Sequence, residues 1–119
     1  MPIVIVDIDN TLLKYGNVPI QKTVDKVNEL AKKNKIVIVS GRLESDRKDT
    51  VGALKNAGVK YSRIILNKIG SSTPDQLESK RQAAESLKKD DSVILAIDDD
   101  PRARKIYKEL GIKSVGPRG

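Results

Sequence analysis

The sequence predicts an α/β fold, a doubly wound, Rossmann-like and mainly parallel five-stranded sheet with helices on both faces. Two observations predict it. Residues 3–6, 36–39, 64–66 and 93–97 are short, β-branched runs without polar alternation, as expected of strands buried on both faces. Between them lie segments whose apolar residues recur at helical spacing.

Taken in order, the first run leads straight into Asp7-Ile8-Asp9-Asn10-Thr11. Val24, Val27, Leu30 and Ala31 then mark a helix over 23–33, and the second run leads into Ser40-Gly41-Arg42. A weaker helix is predicted over 46–57, stopped by Gly58. After the third run, Leu77, Ala84 and Leu87 mark a helix over 75–88, and the fourth run ends in Asp98-Asp99-Asp100. Pro101 suits the first turn of a last helix ending at Leu110-Gly111, after which 112–115 can form a fifth, edge strand. No repeat or linker interrupts the pattern, and 119 residues suffice for one core, so a single domain over 1–119 is expected.

Composition narrows the chemistry. Hydrophobic residues make up 38% of the chain, with no Phe, no Trp and three Tyr, so the core is expected to be aliphatic and an aromatic base-stacking platform is not. The absence of Cys and His excludes disulfides, thiolate nucleophiles and the imidazole proton shuttle. Acid–base chemistry therefore falls to carboxylates or lysine. No signal-like start and no apolar span of about 18 residues is present, which leads to the expectation of a soluble, cytoplasmic protein without a membrane partner. The net charge of +7 suits a polyanionic partner or a solvated lysine-rich surface. Oligomeric state is not legible.

Open parallel sheets place their sites at the carboxyl ends of the strands, where the unusual residues of this chain collect. Asp7, Asp9, Asp98, Asp99 and Asp100 are expected to converge on one rim. Two unit charges about 4 Å apart repel by about 4 kcal/mol at an effective dielectric near 20, so such a cluster calls for a cation. Carboxylate donors without His or Cys favour a hard ion, and Mg²⁺ is the natural choice beside phosphate. Any one of these aspartates also reads as a turn or helix-cap residue, Asp99 and Asp100 above all, since they precede Pro101.

If the chain leaves the strand still extended, Asp7 and Asp9 project to the same side. Asp7 is then the candidate nucleophile toward phosphorus and Asp9 the candidate acid and base. Lys80, early in its helix, is the candidate neutralising cation, whereas Lys88 and Lys89 lie at the far end. Ser40 and the Ser40-Gly41 backbone are candidate phosphoryl ligands, and Thr11 either joins them or braces the turn.

These residues resemble the motifs of the haloacid dehalogenase (HAD) superfamily: Asp7-Ile8-Asp9-Asn10-Thr11 as its D-x-D-x-T, Ser40 as the second-motif hydroxyl, Lys80 as the third-motif lysine and Asp98-Asp99 as the acidic fourth motif. The resemblance spans essentially the whole chain. It implies an aspartyl-phosphate on Asp7, acid–base work by Asp9, and Mg²⁺ held by Asp7, the Asp9 carbonyl and Asp98 or Asp99. Residues 36–42, Ile-Val-Ile-Val-Ser-Gly-Arg, and 96–99 with Pro101-Arg102 also resemble the phosphatase half of phage polynucleotide kinase-phosphatase. That likeness implies removal of 3′-phosphate from nucleic-acid ends, with Arg42 touching the substrate.

Neither position where HAD enzymes usually insert a cap holds an insertion, because a short flap and one helix fill 12–35, so an open site and a bulky substrate are expected. With the five clustered acids neutralised, a balance of about +12 is left to attract polyanions. The alternatives are a phosphatase of small metabolites, nucleotides or phosphoproteins, and a non-catalytic basic binding module. A phospho-accepting receiver domain is disfavoured, since its third strand would end in Asp and this one runs into Leu66-Asn67-Lys68.

Overall fold

The computed structural model describes residues 1–118. In chain order the elements are β1 (Ile3–Val6), β2 (Leu13–Lys14), β3 (Val18–Pro19), α1 (Gln21–Leu30), β4 (Lys35–Leu43), α2 (Arg47–Asn56), β5 (Arg63–Asn67), α3 (Thr73–Asp90), β6 (Val93–Ile97), α4 (Pro101–Glu109) and β7 (Ser114–Val115). Five strands form one sheet in the order β5-β4-β1-β6-β7, every pair parallel. The chain moves outward from β1 through β4 to β5, then returns to the other side of β1. This reversal beside the central strand opens the crevice at the carboxyl rim where ligands of such sheets bind.

Alternate residues of the strands feed two cores. Val4, Val6, Ile36 and Ile38 pack with Val24 and Val27 of α1 and Leu54 of α2. Ile3, Ile5, Val37 and Val39 face the other way, against Ala83, Ala84 and Leu87 of α3 and Ala103 and Tyr107 of α4. Two apolar faces explain the unbroken β-branched runs, and with them the predicted fold class.

Boundaries shift for local reasons. The first helix runs over 21–30 rather than 23–33, because the Lys32 and Lys33 N–H groups bond the carbonyls of Glu29 and Leu30, three residues back, and tighten the chain out of the α-helix. β4 continues past the predicted 36–39 to Leu43, with an irregular register between Val39 and Leu43 that carries Ser40, Gly41 and Arg42 over the rim. The last strand is only Ser114–Val115, shorter than the predicted 112–115.

Between β1 and α1 stands a small flap, β2 paired antiparallel with β3. Its tip, Tyr15–Asn17, turns through Gly16 at φ 78° and Asn17 at φ 59°. Among the described residues no cap domain covers the rim, and no helix is long and apolar enough to cross a membrane.

Candidate active site

Asp7 is the first residue beyond β1, and its N–H donates to the Ile97 carbonyl at 2.9 Å. Asp98 stands beyond β6, with its N–H on the Val115 carbonyl at 3.0 Å. Two neighbouring buried strands thus deliver two buried carboxylates side by side. Facing them is Lys80, whose position depends on where α3 begins. Ser72 caps that helix by accepting the Asp75 N–H at 3.2 Å, Pro74 occupies its first turn, and Lys80 follows one turn later on the sheet-facing side. Its buried ammonium donates to Asp98 Oδ2 at 2.7 Å and to Asp7 Oδ1 at 3.3 Å.

Asp99 completes the group. Asp7, Asp98 and Asp99 each offer a carboxylate oxygen, all within 4.8 Å of one another. The Thr11 hydroxyl lies 3.2 Å from Asp7 Oδ2 and 3.3 Å from Asp99 Oδ1, sharing its single proton between them, and accepts the Asp99 N–H at 3.1 Å. Of the two positions expected for Thr11, it occupies the bracing one. Arg104 holds the loop from behind, donating to the carbonyls of Asp98 and Asp99 at 2.9 and 2.8 Å.

Burial pushes the Asp7 carboxyl well above its ordinary range, the neighbouring Asp98 pushes it further, and Lys80 pulls it back. Burial likewise raises Asp98 against the pull of Lys80. For Lys80 burial acts downward, but Asp7 and Asp98 outweigh it and hold the ammonium above its usual range. Lys80 thus bonds two of the three carboxyl groups, Asp7 and Asp98, with Asp99 beside them, so this group of oxygen donors holds more acids than cations. That charge and that donor set fit a hard divalent ion such as Mg²⁺.

The five aspartates do not all converge. The Asp9 carboxylate stands outside the trio, turned toward solvent, where Arg42 grips it with Nε at 3.0 Å from Oδ2 and Nη2 at 2.8 Å from Oδ1. It still lines the same cavity as Asp7, as expected of residues two apart. Asp100 caps α4, accepting the Arg102 N–H at 2.9 Å and pairing with the Arg102 guanidinium through both oxygens at 3.0 Å. A carboxylate just before Pro101 is better used on the free N–H groups of a helix start than on the rim.

Ser40 is buried and its Oγ accepts the Arg42 N–H at 3.0 Å. Gly41 and Arg42 line the cavity, of about 500 Å³, with Asp7, Asp9, Lys80 and Asp99. Gly41 is confined by Gln76, since a Cβ there would stand 2.6 Å from its Oε1 and 3.2 Å from its Cβ. Besides Asp9, Arg42 Nη2 holds Asn17 Oδ1 at 2.8 Å, which ties the flap tip to the rim.

Sequence reasoning missed Gln76 and Asn67. Gln76 lies one helical turn before Lys80 and lines the cavity, a spacing that could have marked it. Asn67, buried at the end of β5, donates to the carbonyls of Gly41 and Gly70 at 3.3 and 2.6 Å and accepts the Ile69 N–H at 2.8 Å. It braces the loops beside the cavity.

A family model described as HAD superfamily, subfamily IIIB (acid phosphatase) matches residues 16–100, a span that holds Ser40, Lys80, Asp98 and Asp99. No curated protein matches the chain in sequence. Among solved structures, a chain of the Pnkp1/Rnl/Hen1 RNA repair complex shares the fold with a TM-score of 0.82 and 20% identity, over 98% of this chain and 43% of that one. A second structure of the Pnkp1/Rnl/Hen1 complex gives a TM-score of 0.83 at 18% identity, over 98% of this chain and 45% of that one. This chain spans less than half the length of those proteins, and at such identities the likeness is one of fold. With the match covering most of its length, the chain belongs to the HAD superfamily, subfamily IIIB, and is a phosphatase, a phosphoric monoester hydrolase.

Proposed function

We propose that this phosphatase depends on Mg²⁺, works through an aspartyl-phosphate on Asp7 and removes 3′-phosphate from nucleic-acid ends. The observation that carries the reading is the meeting of Asp7, Asp98 and Asp99 with a single buried Lys80 at the rim of the sheet. Asp7, Asp98 and Asp99 would hold the ion, together with the Asp9 carbonyl that the family pattern uses. Bound there, Mg²⁺ supplies positive charge to the phosphoryl oxygens and lets a carboxylate approach them.

In the first step an Asp7 oxygen bonds to phosphorus, the bond to the leaving oxygen breaks, and Asp9 gives that oxygen its proton. In the second, Asp9 takes a proton from water, the water oxygen attacks phosphorus, and the bond to Asp7 breaks. Lys80 balances charge on Asp7 and its phosphorylated form. The Ser40 hydroxyl and the Gly41 N–H hold phosphoryl oxygens, Thr11 fixes Asp7 against Asp99, and Arg42 sets Asp9 while facing the incoming substrate.

An uncapped rim and a surplus of basic residues support a polynucleotide over a free sugar phosphate. The two solved structures named above come from an RNA repair complex, which supports the same substrate class. A single domain over residues 1–119 and residence in the cytoplasm belong to this proposal. The test compares kcat/KM for a 3′-phosphorylated oligonucleotide and for nucleoside monophosphates, with Mg²⁺ and with chelator. Preference for the oligonucleotide, lost in Asp7→Asn, is expected. Equal or better turnover of the monophosphates would reject the substrate class.

A further inference from the structure

The basic residues around the mouth of the active-site cavity are of two kinds. Arg42 is taken by Asp9 and Arg102 by Asp100, so both are largely neutralised. On the other side of Asp99, Lys14 of the flap, Lys22 of α1 and Arg118 make no salt bridge among the described residues, yet all three line one cavity of about 700 Å³. Among the described residues no acidic one lines it. Three unpaired cations around one concave surface form a focused positive field, the footprint of a phosphate site.

The floor of this cavity points the same way. Gln21, Lys22 and Thr23 begin α1, whose cap position is Ile20, a residue without a side-chain acceptor, so no side chain caps the N–H groups of Gln21 and Lys22, while the Thr23 N–H bonds the Ile20 carbonyl at 3.0 Å. Thr23 is only 2% exposed and lines the cavity.

The cavity is also continuous with the site of chemistry. Asn10, held at φ 60°, lines both. A smaller hollow between them is walled by Asn10, Asp99, Pro117 and Arg118. A path therefore leads from Asp7 past Asn10 and Asp99 to Lys14, Lys22 and Arg118.

We propose that this second cavity is a backbone subsite, in which Lys14, Lys22 and Arg118 hold a phosphodiester of the same single strand whose terminal phosphate lies at Asp7. The inference rests on the polynucleotide reading above and gives it a direction: beyond the terminal nucleotide, whose leaving oxygen Asp9 serves beside Arg42, the strand runs over Asn10. Recognition there is by charge, so it is blind to base sequence and to ribose or deoxyribose.

The test uses Asp7→Asn protein, which separates binding from turnover, and fluorescence anisotropy with 3′-phosphorylated ribo- and deoxyribo-oligonucleotides of one to ten nucleotides. Affinity is expected to rise with length and then level off. Lys14→Ala/Lys22→Ala should weaken binding of the longer strands on the order of tenfold, and should flatten the salt dependence by about 0.7 in slope for each phosphate that the protein no longer neutralises. Lys22→Arg should restore binding where Lys22→Glu does not. Lys33→Ala, which removes a cation just past the end of α1 at the opposite edge of the sheet, is the charge control. If the double variant, folded by circular dichroism, binds the ten-nucleotide strand as tightly as its parent, or if Lys33→Ala weakens it equally, the subsite is overturned. Should wild-type enzyme fail to prefer oligonucleotides, the substrate reading falls; should that preference hold while the double variant binds normally, only the subsite does.

Discussion

At the residue scale the site is governed by one buried cation among three acids. Removing a partner from such a group costs more than the pair contributes, because the charges left behind stay out of water. Lys80→Ala leaves Asp7 and Asp98 buried without their ammonium, and a loss of about 3 kcal/mol in Mg²⁺-free urea unfolding is expected. Turnover should fall by about a thousandfold, since charge neutralisation at phosphorus goes with it. Tyr107 offers the opposite case. Its hydroxyl is buried with no hydrogen-bond partner, so Tyr107→Phe removes an unsatisfied polar atom and keeps the ring. A gain of about 1 kcal/mol, seen as a rise of a few degrees in Tm, is expected; a loss would mean that the hydroxyl is satisfied in solution.

At the scale of elements, what matters is how β4, β5 and α3 are set against one another. Gly41 at the end of β4 touches Gln76 in the first turn of α3, and Asn67 at the end of β5 ties Gly41 to the loop before that helix. This contact sets where α3 lands and therefore where Lys80 points. Gly41→Ala forces Gln76 aside, and kcat/KM is expected to drop about tenfold from a displacement of a fraction of an ångström. Restoration of activity by Gln76→Ala in the same chain would confirm that the loss comes from crowding between the two elements. If the double variant is no better than Gly41→Ala alone, the glycine serves the site directly. The start of the last helix was legible in Asp100-Pro101, because caps are written in adjacent residues, whereas α3 begins at Thr73 on a Ser72 cap, two residues before the predicted 75. The flap's link to the rim was not, since Arg42 reaches Asn17 across 25 positions in the chain.

For the whole molecule, the excess of acids over cations at the rim would couple folding to a bound divalent ion. An ion that binds only the folded state at a hundred times its Kd adds about 2.7 kcal/mol of stability. Mg²⁺ is therefore expected to raise Tm and chelator to lower it, and a Tm indifferent to both would contradict binding at the Asp7, Asp98 and Asp99 carboxylates. One cooperative transition by circular dichroism is expected if residues 1–119 fold as a unit. The sequence by itself determined the fold class, the chain order of the five sheet strands and four helices and the residues that follow β1 and β6, because burial on two faces and capping leave their mark within a few neighbouring positions, whereas β4 runs on to Leu43 past the predicted Val39. Only the tertiary structure decided which acids meet: Asp7, Asp98 and Asp99 come together, Asp9 turns to Arg42 and Asp100 turns to its own helix. It alone brings Lys14, Lys22 and Arg118 around one cavity. Charges attract whatever lies nearest in space, and nearness between strands is set by the packing of the sheet, which no local pattern in the chain records.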